Sequence, residues 1–210
     1  MCGRYALHAS PEVIALAFGL ARVPAFAPRY NIAPASQVLV IRNDEAAMVR
    51  WGLVPRWAKD PSVGARMNNA RAETVAEKPL FRDAYRKRRC LIPASGFYEW
   101  KTEAGGKQPY YVLPSAGALF AFAGLWENWA GPEGALQTCA LITTEANGNM
   151  RRVHDRMPVI VAPEDYRKWL AGGEGLLRPC PENAIEIRRV SRAVNRARND
   201  LPGLIAPEGG

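Results

Sequence analysis

From residue 90 to residue 161 the chain breaks into short apolar runs of strand length, at 90–93, 96–100, 109–113, 119–126, 136–143 and 158–161. No other feature constrains the fold as much. Runs this short and this closely spaced cannot bury their apolar side chains as isolated hairpins and must share a sheet. Gly105-Gly106 supplies a turn between two of them, and an earlier pair, 37–41 and 47–51, flanks Asn43-Asp44 as a hairpin. Residues 185–190 alternate and add a late strand. Helical signals are fewer. Ser10-Pro11-Glu12 reads as a cap and first turn, with the helix stopping near Gly19. Leu80, Phe81, Ala84 and Tyr85 fall at helical spacing within 79–89, which predicts a basic amphipathic helix, and another begins at Pro163-Glu164-Asp165. The expected fold is therefore α+β: one domain over 1–210, with a mostly antiparallel, barrel-like sheet, a few flanking helices and a loose Pro/Gly-rich tail from about 202.

A chain of 210 residues with 48% hydrophobic residues can bury such a core. It carries no internal repeat, no apolar run of membrane-spanning length and no basic-then-apolar leader, so a cytoplasmic protein without membrane contact is expected. Cys2, Cys90, Cys139 and Cys180 lie far apart, with only His8 and His154 as further soft ligands. That pattern lacks the close ligand pairs of a metal site, so neither metal nor cofactor is expected. Cys90 and Cys139 sit in apolar runs and read as core. Lys and Arg number 28 against 20 Asp and Glu, giving a formal charge of +8. The arginines gather around 82–89, 151–156 and 188–198. Such clusters suit the phosphates of a nucleic acid and equally describe a solvated basic face.

Several polar residues stand in settings that suggest chemistry. Cys2 follows Met1, and removal of Met1 would leave a 1,2-aminothiol. Its amine, with a pKa near 7.7–8.0, and its thiol, near 8.5, could together close a thiazolidine on an aldehyde carbon. The alternative is a small residue starting a buried strand. Glu99, within Gly96-Phe97-Tyr98-Glu99-Trp100, is either a desolvated acid-base group or a side chain facing water. His154 lies in the crowded turn Arg151-Arg152-Val153-His154-Asp155-Arg156, an unusual place for a packed imidazole. Asn69 and Arg71 bring an amide and a phosphate fork in a stretch with few bulky apolar side chains, and Trp57 follows the stiff loop Gly52-Leu53-Val54-Pro55-Arg56.

Taken together, Met1-Cys2-Gly3-Arg4-Tyr5, Tyr30-Asn31-Ile32-Ala33-Pro34, Trp51-Gly52-Leu53-Val54-Pro55, Asn69-Ala70-Arg71-Ala72-Glu73-Thr74, the stretch Cys90 to Trp100, Ala123-Gly124-Leu125-Trp126, Thr143-Thr144-Glu145-Ala146-Asn147 and His154-Asp155-Arg156-Met157-Pro158 resemble the SOS response-associated peptidase (SRAP) family. The resemblance implies a single SRAP domain that acts as a monomer on abasic sites in single-stranded DNA. It also implies a covalent thiazolidine crosslink through Cys2, slow reversal of that crosslink, and loss of Met1 by an aminopeptidase or by self-cleavage. By the same resemblance His154 assists opening of the sugar, Glu99 moves protons and Asn69 orients the amine, although Asn68 stands where an apolar residue is usual. Arg4, Arg71 and Arg156 are expected on phosphates from matched motifs, and Arg86 from composition. Asn31, Pro34, Trp57 and Thr143 are expected to shape the strand channel. The competing expectations are an N-terminal-nucleophile hydrolase or cysteine peptidase using Cys2, Glu99 and His154, and a non-covalent single-strand-binding module.

Overall fold

The computed structural model describes residues 2–117, 119–132 and 134–209. In chain order its elements are β1 (Tyr5–Leu7), α1 (Pro11–Phe18), β2 (Arg29–Ile32), β3 (Gln37–Arg42), β4 (Glu45–Trp51), β5 (Asn69–Arg71), α2 (Arg82–Lys87) and β6 (Arg89–Ala94). There follow β7 (Gly96–Glu103), β8 (Gly106–Pro114), β9 (Phe120–Gly131), β10 (Gly134–Glu145), β11 (Arg156–Pro158), α3 (Tyr166–Leu170) and β12 (Ile185–Arg189). None of the described helices is long and apolar enough to cross a membrane.

Every residue of β6 is buried, as a strand covered on both faces must be. It pairs with β3 on one side and β9 on the other, β3 pairs with β4, and β4 and β9 both pair with β10. The five strands thus close into a barrel, antiparallel except where β4 runs parallel to β10. Closure leaves these strands no free edge. The far end of β10 carries two more partners, parallel β5 and antiparallel β11. A second, antiparallel sheet runs β12-β8-β7-β1-β2. One of its faces packs Phe97 and Val112 into the barrel core, where Phe97 meets Phe122 edge-on at 5.8 Å and Tyr5 meets Trp51 at 5.3 Å. The opposite face carries Ala6, Tyr98 and Tyr111 under Val190, Val194 and Leu204 of the C-terminal segment.

The α+β, mostly antiparallel, barrel-like expectation holds, and local signals behave as their chemistry requires. The Ser10 hydroxyl accepts from the Val13 N–H at 3.4 Å, and Gly19 ends α1 at φ 65°. Asn43, at φ 51°, turns β3 into β4. All four thiols are free and buried, Cys90 and Cys139 in the core.

Other expectations are corrected. The helix expected over 79–89 is confined to Arg82–Lys87, because residues 78–81 form a hydrogen-bonded turn and Arg89 is already committed to β6 opposite Leu125. Instead of a strand over 158–161 there is the short β11, with Ile160 making an isolated bridge to Phe122. The helix expected at 163 opens as a 3-10 turn and becomes α-helical only from Tyr166. Residues 202–209 are not all loose. Leu204 is buried, Pro207 bridges Val190, and Glu208 donates its N–H to the Arg189 carbonyl at 2.9 Å.

Candidate active site

Register brings the N-terminal strand to Glu99. Tyr5 lies opposite Phe97 and Ala6 opposite Gly96, and the Tyr98 N–H donates to the Arg4 carbonyl at 2.9 Å. Continued by one residue, this antiparallel pairing sets Gly3 beside Glu99, with Cys2 just beyond. From the other side the parallel register of β5 on β10 pairs Asn69 with Leu141. The Asn69 amide then donates to the Cys2 carbonyl at 2.8 Å. Asn68 contributes only its backbone here, its carbonyl accepting from the Trp51 indole and the Leu141 N–H. The two neighbouring amides are thereby told apart.

Cys2 is wholly buried, its Sγ 4.0 Å from the Arg4 carbonyl, and burial pushes the thiol far above its usual range. The neutral thiol is therefore the resting form. The expectation that Met1 is lost concerns a residue outside those described. Glu99 is 2% exposed, and burial raises its carboxyl to about 7. His154 places Nε2 3.9 Å from Glu99 Oε2, and burial lowers its own pKa. Its Nδ1 accepts the Arg156 N–H at 3.0 Å, so the neutral ring carries its proton on Nε2, the nitrogen facing Glu99. Asp155 Oδ1 also stands 3.0 Å from Nδ1 and is the acceptor available to a charged ring. An acid poised near neutrality and an imidazole of defined tautomer thus meet at a polar cleft of about 630 Å³, walled by Gly3, Arg4, Trp100 and Asn195.

The residues expected on DNA divide into two groups. Arg4 lines the cleft, with Nη1 donating to Asn31 Oδ1 at 2.8 Å and to the Val194 carbonyl at 3.2 Å. Arg71 is exposed at the end of β5. Pro34 is half-buried in the turn between β2 and β3, next to Ala35 at φ 70°. Asn31 and Thr143 are both buried. Asn31 is 1% exposed, and its amide donates to the carbonyls of Val194, Arg196 and Asn199. Thr143 is completely buried, its hydroxyl donating to the Ala70 carbonyl at 3.4 Å. Both side chains thus find hydrogen-bond partners within the protein, as buried polar groups must. Arg156 is largely occupied, meeting Glu73 through two bonds of 2.5 and 3.0 Å and the Thr143 carbonyl at 2.8 Å. That fork holds the Glu73 carboxyl below its usual range. Trp57, 62% exposed, lies on the loop after β4, and Arg86 is exposed on α2; neither lines the cleft.

Sequence reasoning missed Asn195, whose Oδ1 accepts from the Trp100 indole at 2.7 Å. No local pattern in 192–195 marks it; only the return of the C-terminal segment across Trp100 does so.

A family model described as SOS response associated peptidase (SRAP) matches residues 1–197. The chain is 42% identical to "Abasic site processing protein YoqW" of Bacillus subtilis, over 98% of this chain and 99% of that protein. It is 31% identical to "Abasic site processing protein HMCES" of Mus musculus, over 99% of this chain and 76% of the other. A solved structure of a protein from Bacteroides thetaiotaomicron superposes with a TM-score of 0.89 at 25% identity, over 99% of this chain and all of that one. Matched over nearly its whole length in sequence and in fold, the chain belongs to the SOS response-associated peptidase (SRAP) family.

Proposed function

We propose that this protein captures abasic sites in single-stranded DNA by covalent attachment at Cys2, acting as a monomer that is nucleoid-associated when bound. Its relatives carry the name of abasic site processing proteins. The observation that most supports capture is the meeting of Asn69 with the Cys2 carbonyl at 2.8 Å, beside a carboxyl raised to about 7 by burial. An acid of that strength is present in both protonation states at neutral pH, as a reaction that first gives and then takes a proton requires.

Once Met1 has been cleaved, by an aminopeptidase or by the chain itself, the Cys2 amine attacks the aldehyde carbon of the opened sugar. Protonated Glu99 supplies the proton that turns the carbonyl oxygen into a hydroxyl, takes one back from the amine nitrogen and gives it to that hydroxyl, which leaves as water and gives the protonated imine. The buried thiol gives its proton to the Glu99 carboxylate as sulfur bonds to the same carbon, and the C=N electron pair returns to nitrogen. The balance is aldehyde plus aminothiol to thiazolidine plus water. His154, through Nε2, moves the proton of the sugar hydroxyl as the ring opens, and Asn69 holds the Cys2 backbone in line. Running the same steps backward releases the DNA slowly. Closure of the second ring also removes the imine from which strand-breaking elimination would proceed.

The test is a denaturing gel. Wild type is expected to give a shifted band with an abasic single strand and none with undamaged DNA, and Cys2→Ala none with either. Equal crosslinking by Cys2→Ala would end this reading, and Cys2-dependent cleavage of a peptide panel would favour a peptidase acting in trans.

A further inference from the structure

The arginine clusters that make the sequence basic are less available than their number suggests. Arg151 pairs with Glu145 at 3.1 Å, Arg156 with Glu73, Arg188 with Glu186 at 2.7 Å, and Arg189 with Glu103 and Glu208 at 2.8 and 2.6 Å. Among the described residues, Lys101 and Arg152 have no carboxylate within ion-pair distance, and both are exposed. These two cations stand together. Both line a second cavity of about 400 Å³, which the half-buried ring of Tyr110 and the side chains of Val153 and Ile187 complete. Glu186 is the acidic residue of its wall, and Arg188 already neutralises it at 2.7 Å.

Residues adjacent in sequence line the second cavity and the first. Lys101 sits on β7 between Trp100 and Thr102, which line the active-site cleft, and Val153 immediately precedes His154. In a strand, successive side chains point to opposite faces. Lys101 therefore turns away from Trp100 and Thr102, onto the face of β7 that it shares with Glu99. We infer that the cavity between Lys101, Arg152 and Tyr110 is a subsite for one nucleotide flanking the abasic residue. Lys101 and Arg152 hold its phosphates, and the Tyr110 ring forms a stacking wall for its base. Paired cations beside an aromatic ring are the usual means of holding single-stranded nucleic acid without reading its sequence. A strand entering this subsite passes directly over Glu99 and His154.

This inference rests on the proposed function and is tested apart from it. The probe is a single strand carrying a tetrahydrofuran residue, a stable abasic analogue that cannot be crosslinked, with five-nucleotide flanks or with either flank removed. Affinity for the full-length protein is measured across a salt series. For Lys101→Ala/Arg152→Ala, two lost phosphate contacts should reduce the slope of log K against log salt by about 1.4, at roughly 0.7 per contact. The conservative pair Lys101→Arg/Arg152→Lys should retain the slope. The loss should be confined to strands that keep one particular flank, and thermal unfolding should show that the exposed substitutions leave the fold intact. An unchanged slope, or an equal loss on strands lacking either flank, overturns the subsite. Failure of wild type to capture a true abasic strand would overturn the proposed function and leave these slopes readable.

Discussion

A carboxyl held near pKa 7 by burial destabilises the protein that contains it. Glu99 binds its proton more tightly folded than unfolded, where a glutamate titrates near 4.5. From about pH 4.5 to 7 the native state therefore holds more protons than the unfolded state, and stability falls as pH rises through this window. Above pH 7 the whole penalty is present. Glu99→Gln should raise stability at pH 8 by on the order of 2 kcal/mol while changing it little at pH 4, as read by urea unfolding at both values. The same substitution should slow capture of an abasic strand and abolish the limb of its pH profile near 7. A capture rate and profile equal to wild type would remove Glu99 from the proton transfers. At this scale the sequence singled out Glu99, which interrupts aromatics and is buried, and His154, which crowds a turn and lies 3.9 Å from it. It did not reveal that Asn31 and Thr143 are buried on the protein's own carbonyls, because a motif records that a hydrogen bond is needed without recording its partner. Asn69 differs from them in being only partly buried and in that its amide reaches the Cys2 carbonyl, which is a matter of register.

Registers were the least legible part at the scale of elements. The apolar runs predicted β6 to β10 closely, yet no pattern announces that β5 lies parallel to β10, since three residues with one buried side chain carry no period. What fixes β5 is the loop before it. Gly52 leaves β4 at φ 135°, and its N–H donates to the Cys139 carbonyl at 2.8 Å. Gly64 folds back over it so closely that a Cβ on Gly52 would lie 2.5 Å from the Gly64 carbonyl oxygen, and one on Gly64 would lie 2.6 Å from that of Gly52. The two backbones thus clamp residues 52–64 into a closed loop whose exit, secured by the Leu53 N–H on the Met67 carbonyl at 3.0 Å, delivers Asn69 to Cys2. Gly52→Ala combines a strained φ with a backbone clash and should cost roughly 2–4 kcal/mol. It should also slow capture out of proportion to any change in DNA affinity, because Asn69 moves while the cations stay. A stability change under about 0.5 kcal/mol in urea unfolding would show that the loop accommodates the methyl group and that the clamp is not what sets β5.

For the molecule as a whole, the outer face of the second sheet is closed by a segment that starts after β12 and also builds the site. Asn31 and Asp200 tie it down: the Asn31 amide holds the carbonyls of Val194, Arg196 and Asn199, and the Asp200 carboxylate accepts from Arg29 Nε and from the N–H groups of Tyr30 and Asn31. Gln108 adds a bond to the Val190 carbonyl at 2.9 Å, and Leu204 is buried over Tyr98 and Tyr111. The same segment presents Asn195 to Trp100 and the Val194 carbonyl to Arg4, so a wall of the cleft lies nearly two hundred residues along the chain from Cys2. Composition marked 202–210 as loose because Pro and Gly abound there, but looseness depends on what the segment covers, and this one covers aromatic rings. If the segment is one cooperative unit, loosening it at Asp200 should be felt at Asn195. Asp200→Ala leaves two backbone N–H groups without their acceptor and should lower stability by about 2 kcal/mol. Hydrogen exchange should rise across 190–208 and in β2 well before it rises in β6 or β9, as expected for sub-global opening. Affinity for a single strand should fall along with it, since Arg4 then loses the carbonyl that holds its guanidinium. Exchange that increases evenly over the barrel, or an unaltered affinity in a variant whose segment has opened, would mean that this wall supports the sheet without shaping the site.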